Sequence, residues 1–206
     1  MNTHITASIK YVGVDDTDLD LFESQYIIPN GVSYNSYIIL DEKIAIMDSA
    51  DNRKSDEWLG NVESALQGRT PDYLVVQHME PDHAGSIHHI IERFPQMQIV
   101  ASARAIQMLP QFFHDAEFSS RTIAVKEADT LPLGNHTLQF FMAPMVHWPE
   151  VMVTYEQREK ILFSADGFGK FGALSHSEEW ACEARRYYFN ICGKYGQQVQ
   201  ALLKKM

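Results

Sequence analysis

The sequence predicts an α/β fold with a single domain that covers residues 1–206. Apolar or alternating runs of strand length recur along the chain, and helical stretches lie between the later ones. Apolar residues make up 45% of the 206 positions, enough for the core of one sizeable domain without disulfides. No repeat, low-complexity segment or linker divides the chain. We therefore expect strands and helices layered around one core.

The predicted elements begin with a β-hairpin, whose strands at residues 36–40 and 44–48 meet across a polar turn. A helix at 56–66 and a strand at 73–77 follow, and a polar loop then leads into a helix at 84–94. The remaining expected elements are, in chain order, a strand at 98–101, a helix from Ala103 that Pro110 bends or ends, strands at 121–125, 137–141, 151–155 and 161–164, and two helices between 178 and 205 broken near Gly193 and Gly196.

Charge and cysteine content exclude several classes of protein. A formal net charge of −10, with only 17 lysines and arginines, argues against a surface that binds nucleic acid or an anionic membrane. Cys182 and Cys192 are ten residues apart without a CxxC motif, which fits reduced thiols and encodes no iron–sulfur cluster. The N-terminus lacks the regions of a signal peptide, and no apolar run reaches transmembrane length. We therefore expect a soluble, cytoplasmic protein.

The loop after the predicted strand at 73–77 contains four potential metal ligands, His78, Glu80, Asp82 and His83. Pro81 keeps Glu80 extended, so that His78 and Glu80 point the same way, and Asp82 and His83 lie where a helix begins. Two-metal sites hold cations about 3.5–4 Å apart, and ligands this dense can diverge toward two such cations. The alternative is a polar loop with a helix-start aspartate and solvated histidines. The density of ligands favours a dinuclear metal site.

Two later residues are candidate partners of this loop. His147 follows another predicted strand and lies between Pro144 and Pro149. Asp166 ends a buried strand and precedes a glycine-rich stretch, where its two oxygens can bridge two cations. Alternatively, His147 packs beside Trp148 and Asp166 is a turn residue. The ligand loop favours the metal-binding interpretation of both.

Together these residues resemble the metallo-β-lactamase superfamily, in the order His78-x-Glu80-x-Asp82-His83, then His147, then Asp166. The usual hydrolase motif has histidine where this chain has Glu80. That difference, with the blocks at residues 29–37, 143–149 and 163–169, resembles the flavodiiron proteins, the family of rubredoxin:oxygen and nitric oxide reductases. The resemblance implies a metallo-β-lactamase-like αββα sandwich that is incomplete at the C-terminus.

The resemblance also implies a non-haem diiron centre that reduces dioxygen to water or nitric oxide to nitrous oxide. One iron would take His78, Glu80 and His147, the other Asp82 and His83, and Asp166 would bridge them. Glu80, Asp82 and Asp166 are accordingly the expected catalytic carboxylates, and three carboxylates favour redox iron over hydrolytic zinc. In addition, Trp148 would form a wall of the pocket that faces a flavin.

Members of that family carry a further histidine ligand downstream and then a flavodoxin-like domain that binds FMN. This sequence ends at Met206 before either feature and has no glycine-rich phosphate loop. We therefore expect the metal-binding domain alone, with FMN from a missing domain or a partner chain, a flavodoxin-like or rubredoxin-type electron donor, and a homodimer. His176 is a weaker candidate for the missing ligand, and His136 is expected to be a surface or core histidine.

Three functions remain open at the level of sequence. The first is the core of a diiron oxidoreductase that depends on an external redox partner. The second is a zinc hydrolase of the same superfamily, in which a metal-bound hydroxide attacks an ester, thioester or lactam. The third is an inactive truncated remnant that binds at most one metal.

Overall fold

The computed structural model describes residues 4–114, 118, 120–176 and 179–206. Its strands are β1 (Ile9–Tyr11), β2 (Val14–Asp16), β3 (Leu21–Phe22), β4 (Tyr26–Ile27), β5 (Val32–Tyr34), β6 (Tyr37–Ile39), β7 (Ala45–Met47), β8 (Tyr73–Val76), β9 (Gln98–Ser102), β10 (Thr122–Val125), β11 (Thr130–Pro132), β12 (Thr137–Met142), β13 (Met152–Glu156) and β14 (Ile161–Phe163). Its α-helices are α1 (Ser55–Leu66), α2 (Pro81–Ala84), α3 (Ile87–Arg93), α4 (Ala103–Phe112), α5 (Trp180–Tyr187) and α6 (Gly196–Leu203).

Two sheets form the centre of the fold. The larger has the order β1-β6-β7-β8-β9-β10, in which β7 to β10 are parallel and β1, β6 and β7 are antiparallel neighbours. Parallel neighbours need crossover connections, and α1, α2 with α3, and α4 supply them. The smaller sheet, β11-β12-β13-β14, is antiparallel throughout. The predicted hairpin is β6 and β7.

Alternation along the strands separates two buried clusters. Met47, Val75 and Val100 of the larger sheet pack with Phe140 and Met152 of the smaller sheet. Their neighbours along the strands point the other way, toward the helices, because successive side chains of a strand face opposite sides. This second set includes Ile46, Leu74 and Ile99 from the strands and Trp58, Ile90 and Leu109 from α1, α3 and α4.

The C-terminal helices contribute Val199 and Leu202 to the cluster that also contains Val153 of the smaller sheet. Lys205, just after α6, donates to the carbonyl oxygen of Met142 at the end of β12 (2.8 Å). Helices therefore lie outside both sheets, which confirms the predicted αββα layering. Within the described residues, no helix is long and apolar enough to cross a membrane.

The prediction of one helix at 84–94 is wrong, both in where the helical segment begins and in treating it as unbroken. It begins at Pro81, and a break after Ala84 divides it into α2 and α3. Gly85 lies at the break, where a Cβ atom would be 2.6 Å from the Pro81 carbonyl oxygen and 2.7 Å from the Asn52 amide nitrogen. Only glycine permits that close approach of two backbone segments. The consequence is that Asp82 and His83 lie inside a helical turn rather than before one.

The other boundaries agree more closely with the prediction. Helix α4 continues through Pro110 and ends at Phe112. The expected break near Gly193 and Gly196 is present, as a π-helical turn at Tyr188–Cys192 and a 3-10 turn at Gly193–Tyr195. The prediction missed the strands β1 to β5 and β11, which have only two or three residues each. The expected helix start at residue 178 lies outside the described residues.

Candidate metal centre

The candidate ligands lie in segments that follow the carboxyl ends of strands in the two sheets. His78 lies two residues after β8, and Asp166 lies three residues after β14. His147 lies in the connection between β12 and β13. Because β12 and β14 are both antiparallel to β13, their carboxyl ends lie at the same edge of the smaller sheet. The strands thus bring residues distant in sequence to one place.

The first group of donors consists of four buried residues, His78, Glu80, His147 and Asp166. The Oε2 atom of Glu80 is 3.2 Å from His78 Nε2 and 2.9 Å from His147 Nε2. Asp166 Oδ2 is 3.2 Å and 3.1 Å from the same two nitrogens. One ligand atom from each residue lies within 4.8 Å of the others, so that all four point at a common centre.

The second group consists of Asp82, His83 and, again, Asp166. His83 Nε2 is 2.9 Å from Asp166 Oδ1 and 3.7 Å from Asp82 Oδ2. Asp166 therefore directs one carboxylate oxygen toward each group. The structure brings all six candidate ligands together in two groups that share Asp166.

Neighbouring carboxylates raise the pKa values of the two histidines in the first group. Burial by itself disfavours a charged imidazole, but hydrogen bonds to Asp166, Glu150 and Glu80 raise the pKa of His78 well above its ordinary value. The pKa of His147 is likewise raised to about 9, because Asp166 and Glu80 outweigh the effect of burial. Without a cation, these imidazoles therefore take protons, and their positive charge balances the carboxylates.

The pKa values of two carboxylates in the centre are shifted in opposite directions by their surroundings. Burial raises the pKa of Asp82 to about 7, against the lowering effect of the His83 charge. For Glu80, the hydrogen bonds from His147 and His78 overcome burial and lower the pKa to about 2. A cation between these groups would hold every carboxylate ionised and every imidazole neutral, which is the state that binds metal.

The residues also fit metal ions by their unsatisfied atoms. Asp82 Oδ1 is buried and has no hydrogen-bond partner among the described residues. Buried carboxylate oxygens without a partner are costly, and a coordinated cation would remove that cost. Imidazole nitrogen with carboxylate oxygen is a donor set that suits first-row transition metals such as iron and zinc. The centre therefore fits two such cations.

Two further carboxylates that the sequence analysis missed lie behind the ligand histidines. Glu150 Oε1 is 2.8 Å from His78 Nδ1 and accepts the Met79 amide hydrogen at 2.9 Å. Asp48 Oδ2 is 3.3 Å from His83 Nδ1. Neither residue belongs to the ligand motif. The sequence offered only weak clues: Asp48 ends a predicted strand, and Glu150 directly follows the loop that contains His147.

The surroundings of the other predicted residues are as follows. Trp148 is half-buried and meets His78 edge-on, with ring centroids 5.2 Å apart at 90°. His176 is exposed and is not among the donors that converge on the centre, within the part of the chain that the structure describes. His136 is a core histidine, 1% exposed.

A cavity of about 290 Å³ opens beside the second group of donors. Asp82, His83 and Asp166 line it at one side, and Phe168 and Trp180 are among its aromatic residues. Phe168 and Trp180 are also exposed at the surface. A small molecule can therefore approach the second group of donors from solvent.

Comparison with known proteins identifies relatives over the whole chain. A family model described as "ODP family beta lactamase" matches residues 32–197. The chain is 34% identical to the anaerobic nitric oxide reductase flavorubredoxin of Aliivibrio salmonicida, over 100% of the chain and 43% of that protein. It is also 34% identical to diflavin flavoprotein A 1 of Synechocystis, over 98% of the chain and 36% of that protein.

Solved structures agree in fold. Rubredoxin oxygen:oxidoreductase from Desulfovibrio gigas superposes with a TM-score of 0.93 and 31% identity, covering 100% of this chain and 52% of that one. The flavodiiron protein from Giardia intestinalis gives a TM-score of 0.90 and 29% identity, covering 99% and 51%. The chain spans about half or less of the length of these relatives, and the predicted metallo-β-lactamase-like fold is confirmed. The protein belongs to the ODP family of beta lactamases and, with these relatives, to the flavodiiron proteins.

Proposed function

We propose that this chain is the diiron core of an oxidoreductase that reduces dioxygen to water, nitric oxide to nitrous oxide, or both. One observation supports this most directly: Asp166 directs Oδ2 toward His78 and His147 and Oδ1 toward His83, at 2.9–3.2 Å. That arrangement suits two adjacent cations rather than one. The names of the relatives, a nitric oxide reductase and an oxygen oxidoreductase, support the substrates.

In this proposal His78, Glu80 and His147 would hold one iron, Asp82 and His83 would hold the other, and Asp166 would contribute one carboxylate oxygen to each. The irons would supply electrons to a bound diatomic molecule and accept them again from a donor. The protein side chains fix the positions of the metals and balance their charge. Because Glu80, Asp82 and Asp166 are all carboxylates, the donor set is anionic and favours the ferric state that a redox cycle requires.

Access and electron supply follow from the surroundings of the centre. The cavity of about 290 Å³ beside Asp82 and His83 has room for dioxygen or nitric oxide. Trp148 contacts His78 and is half-exposed, so we assign it to the side of the centre that faces a flavin. The flavin would be FMN from a further domain or a partner chain, with a flavodoxin-like or rubredoxin-type donor, and a homodimer would bring one subunit's flavin to another's irons.

The proposal is tested by metal content. The chain is purified without oxygen or chelators, and iron and zinc are counted by mass spectrometry beside an Asp166→Ala variant. We expect about two irons per chain, as a two-metal site requires, and loss of the pair in the variant. The reconstituted chain should then consume dioxygen or nitric oxide when a reduced flavodoxin-type donor is supplied.

Two results would lead to other functions. Zinc in place of iron, with turnover of a chromogenic ester, would support the zinc hydrolase. A folded chain that binds at most one metal, whatever is supplied, would support an inactive remnant.

A further inference from the structure

We infer that Glu150 and Asp48 are positioning residues, each of which orients the ligand histidine of one half of the centre and thereby sets that half's metal affinity. The inference rests on the proposed function for the identity of the two halves. The four-donor half contains His78, which Glu150 contacts; the three-donor half contains His83, which Asp48 contacts.

Glu150 is placed to determine the tautomer of His78. Its side chain is 0% exposed, and Oε1 lies 2.8 Å from His78 Nδ1 and 2.9 Å from the Met79 amide nitrogen. An ionised carboxylate only accepts hydrogen bonds, so Nδ1 must carry the hydrogen. Nε2 is then the ring atom that faces Glu80 and Asp166, 3.2 Å from each, and it becomes a metal ligand when its own proton leaves. A histidine in this state is ready to bind a cation without rearrangement.

Asp48 acts in the same way on the other half. Its Oδ1 accepts the backbone amide of Gln77 at 2.7 Å, and Oδ2 accepts the side-chain amide of the same residue at 3.1 Å. These bonds hold the carboxylate so that Oδ2 faces His83 Nδ1 at 3.3 Å, which leaves Nε2 toward Asp166. Since this contact is longer than that of Glu150, we expect a smaller effect from its removal.

The chain contains a second buried carboxylate–histidine pair, close in space but without a hydrogen bond between the two side chains, that serves as a control. Glu156 is fully buried and its Oε1 lies 3.0 Å from Nδ1 of His136, which is also buried. The opposite nitrogen, Nε2, meets the hydroxyl of Ser8 at 2.8 Å rather than carboxylates. Loss of the Glu156 charge therefore disturbs a buried carboxylate–histidine pair without touching the metal centre.

The experiment is a zinc titration of the metal-free chain, followed by competition with a chromophoric chelator, for the wild type and the variants Glu150→Gln, Glu150→Leu, Asp48→Asn and Glu156→Gln. Loss of a carboxylate that orients a ligand histidine lowers metal affinity by about 10- to 100-fold. We expect a loss of this size for one of the two zinc ions in Glu150→Leu, a smaller loss in Glu150→Gln, whose amide oxygen can still accept from Nδ1, and a loss at the other zinc in Asp48→Asn. Glu156→Gln should bind both ions as the wild type does.

Nitrogen NMR of the histidine rings provides a readout that a merely structural role would not change. With zinc bound, the wild type should show His78 with its hydrogen on Nδ1 only, and Glu150→Leu should show a mixture of rings protonated on Nδ1 and on Nε2 in a folded chain. If Glu150→Leu does not fold, Glu150→Gln serves for the zinc titration, in which the smaller loss is expected. Wild-type zinc affinity in the folded Glu150 and Asp48 variants, or equal losses in Glu156→Gln, would overturn the inference. A chain that binds two zinc ions but never iron would overturn the proposed redox function and leave the inference standing.

Discussion

The charge balance of the centre predicts how the metal-free chain responds to pH, and His147 provides the test. Its Nε2 lies 2.9 Å from Glu80 Oε2 and 3.1 Å from Asp166 Oδ2, with only 6% of the side chain exposed. Burial opposes the charge of the imidazole, but the two carboxylates outweigh it and raise the pKa to about 9. The folded chain therefore holds a proton on this ring that the unfolded chain releases near pH 6.5.

The size of the effect follows from that difference in pKa. A rise from 6.5 to about 9 corresponds to about 3 kcal/mol of stabilisation. Because the folded-state pKa is the higher one, the folded chain binds more protons, and the stabilisation is fully present below about pH 6.5. It is lost progressively as the pH rises through 9. The variant His147→Gln lacks this proton at every pH.

The assay is urea unfolding of chelator-treated wild type and His147→Gln at pH 6, 8 and 10. We expect the wild type to be more stable by about 3 kcal/mol at pH 6 and by little at pH 10. Circular dichroism of both proteins before unfolding controls for loss of structure. A difference in unfolding free energy that stays the same at all three pH values would refute the reasoning, because it would reflect packing and not charge.

Three further predictions concern other parts of the molecule. The pKa of Glu80 is lowered to about 2, so the stabilisation from its charge is present above about pH 4.5 and is lost as the pH falls through 2. In the metal-free Glu80→Gln variant, the free energy of unfolding should therefore depend less on pH in this acid range, as measured by circular dichroism. Glu80→His exchanges an oxygen donor for nitrogen and should raise the zinc-to-iron ratio measured by mass spectrometry. Trp58→Ala removes a fully buried side chain from α1 and should cost about 3–5 kcal/mol in urea unfolding, while metal bound per folded chain stays unchanged.

The candidate metal ligands could be recognised in the sequence because they follow local patterns. His78, Glu80, Asp82 and His83 are close together directly after an apolar strand, and His147 and Asp166 follow strands as well. Strand and helix periodicity is also local, so the hairpin and helix α1 were predicted to within a residue or so. Strands β1 to β5 and β11 were missed because each has only two or three residues; β6, β7 and β14 are equally short but lie within longer runs that could be recognised.

The break between α2 and α3 could not be predicted in this way. At the break, Gly85 lies so close to Asn52 that a Cβ atom would be 2.7 Å from the Asn52 amide nitrogen, and these residues are 33 positions apart in the numbering and meet only in the folded chain. The sequence alone predicted a continuous helix, because nothing near Gly85 in the chain indicates a second backbone segment. The close contact between Asn52 and Gly85, beside the turn that contains Asp82 and His83, is therefore a feature of the tertiary structure alone.

The sequence by itself determined which residues are candidate ligands and the α/β class of the fold, since these depend on residue type and spacing. The division of the ligands into two groups and the αββα arrangement were expected from the resemblance to the flavodiiron proteins. Only the tertiary structure decided that Asp166 directs one oxygen to each group and that Glu150 and Asp48 stand behind His78 and His83. Glu150 and His78 are separated by 72 residues, and Asp48 and His83 by 35. The physical reason is that a hydrogen bond depends on distance in space, and the packing of the two sheets brings together residues that no local pattern connects.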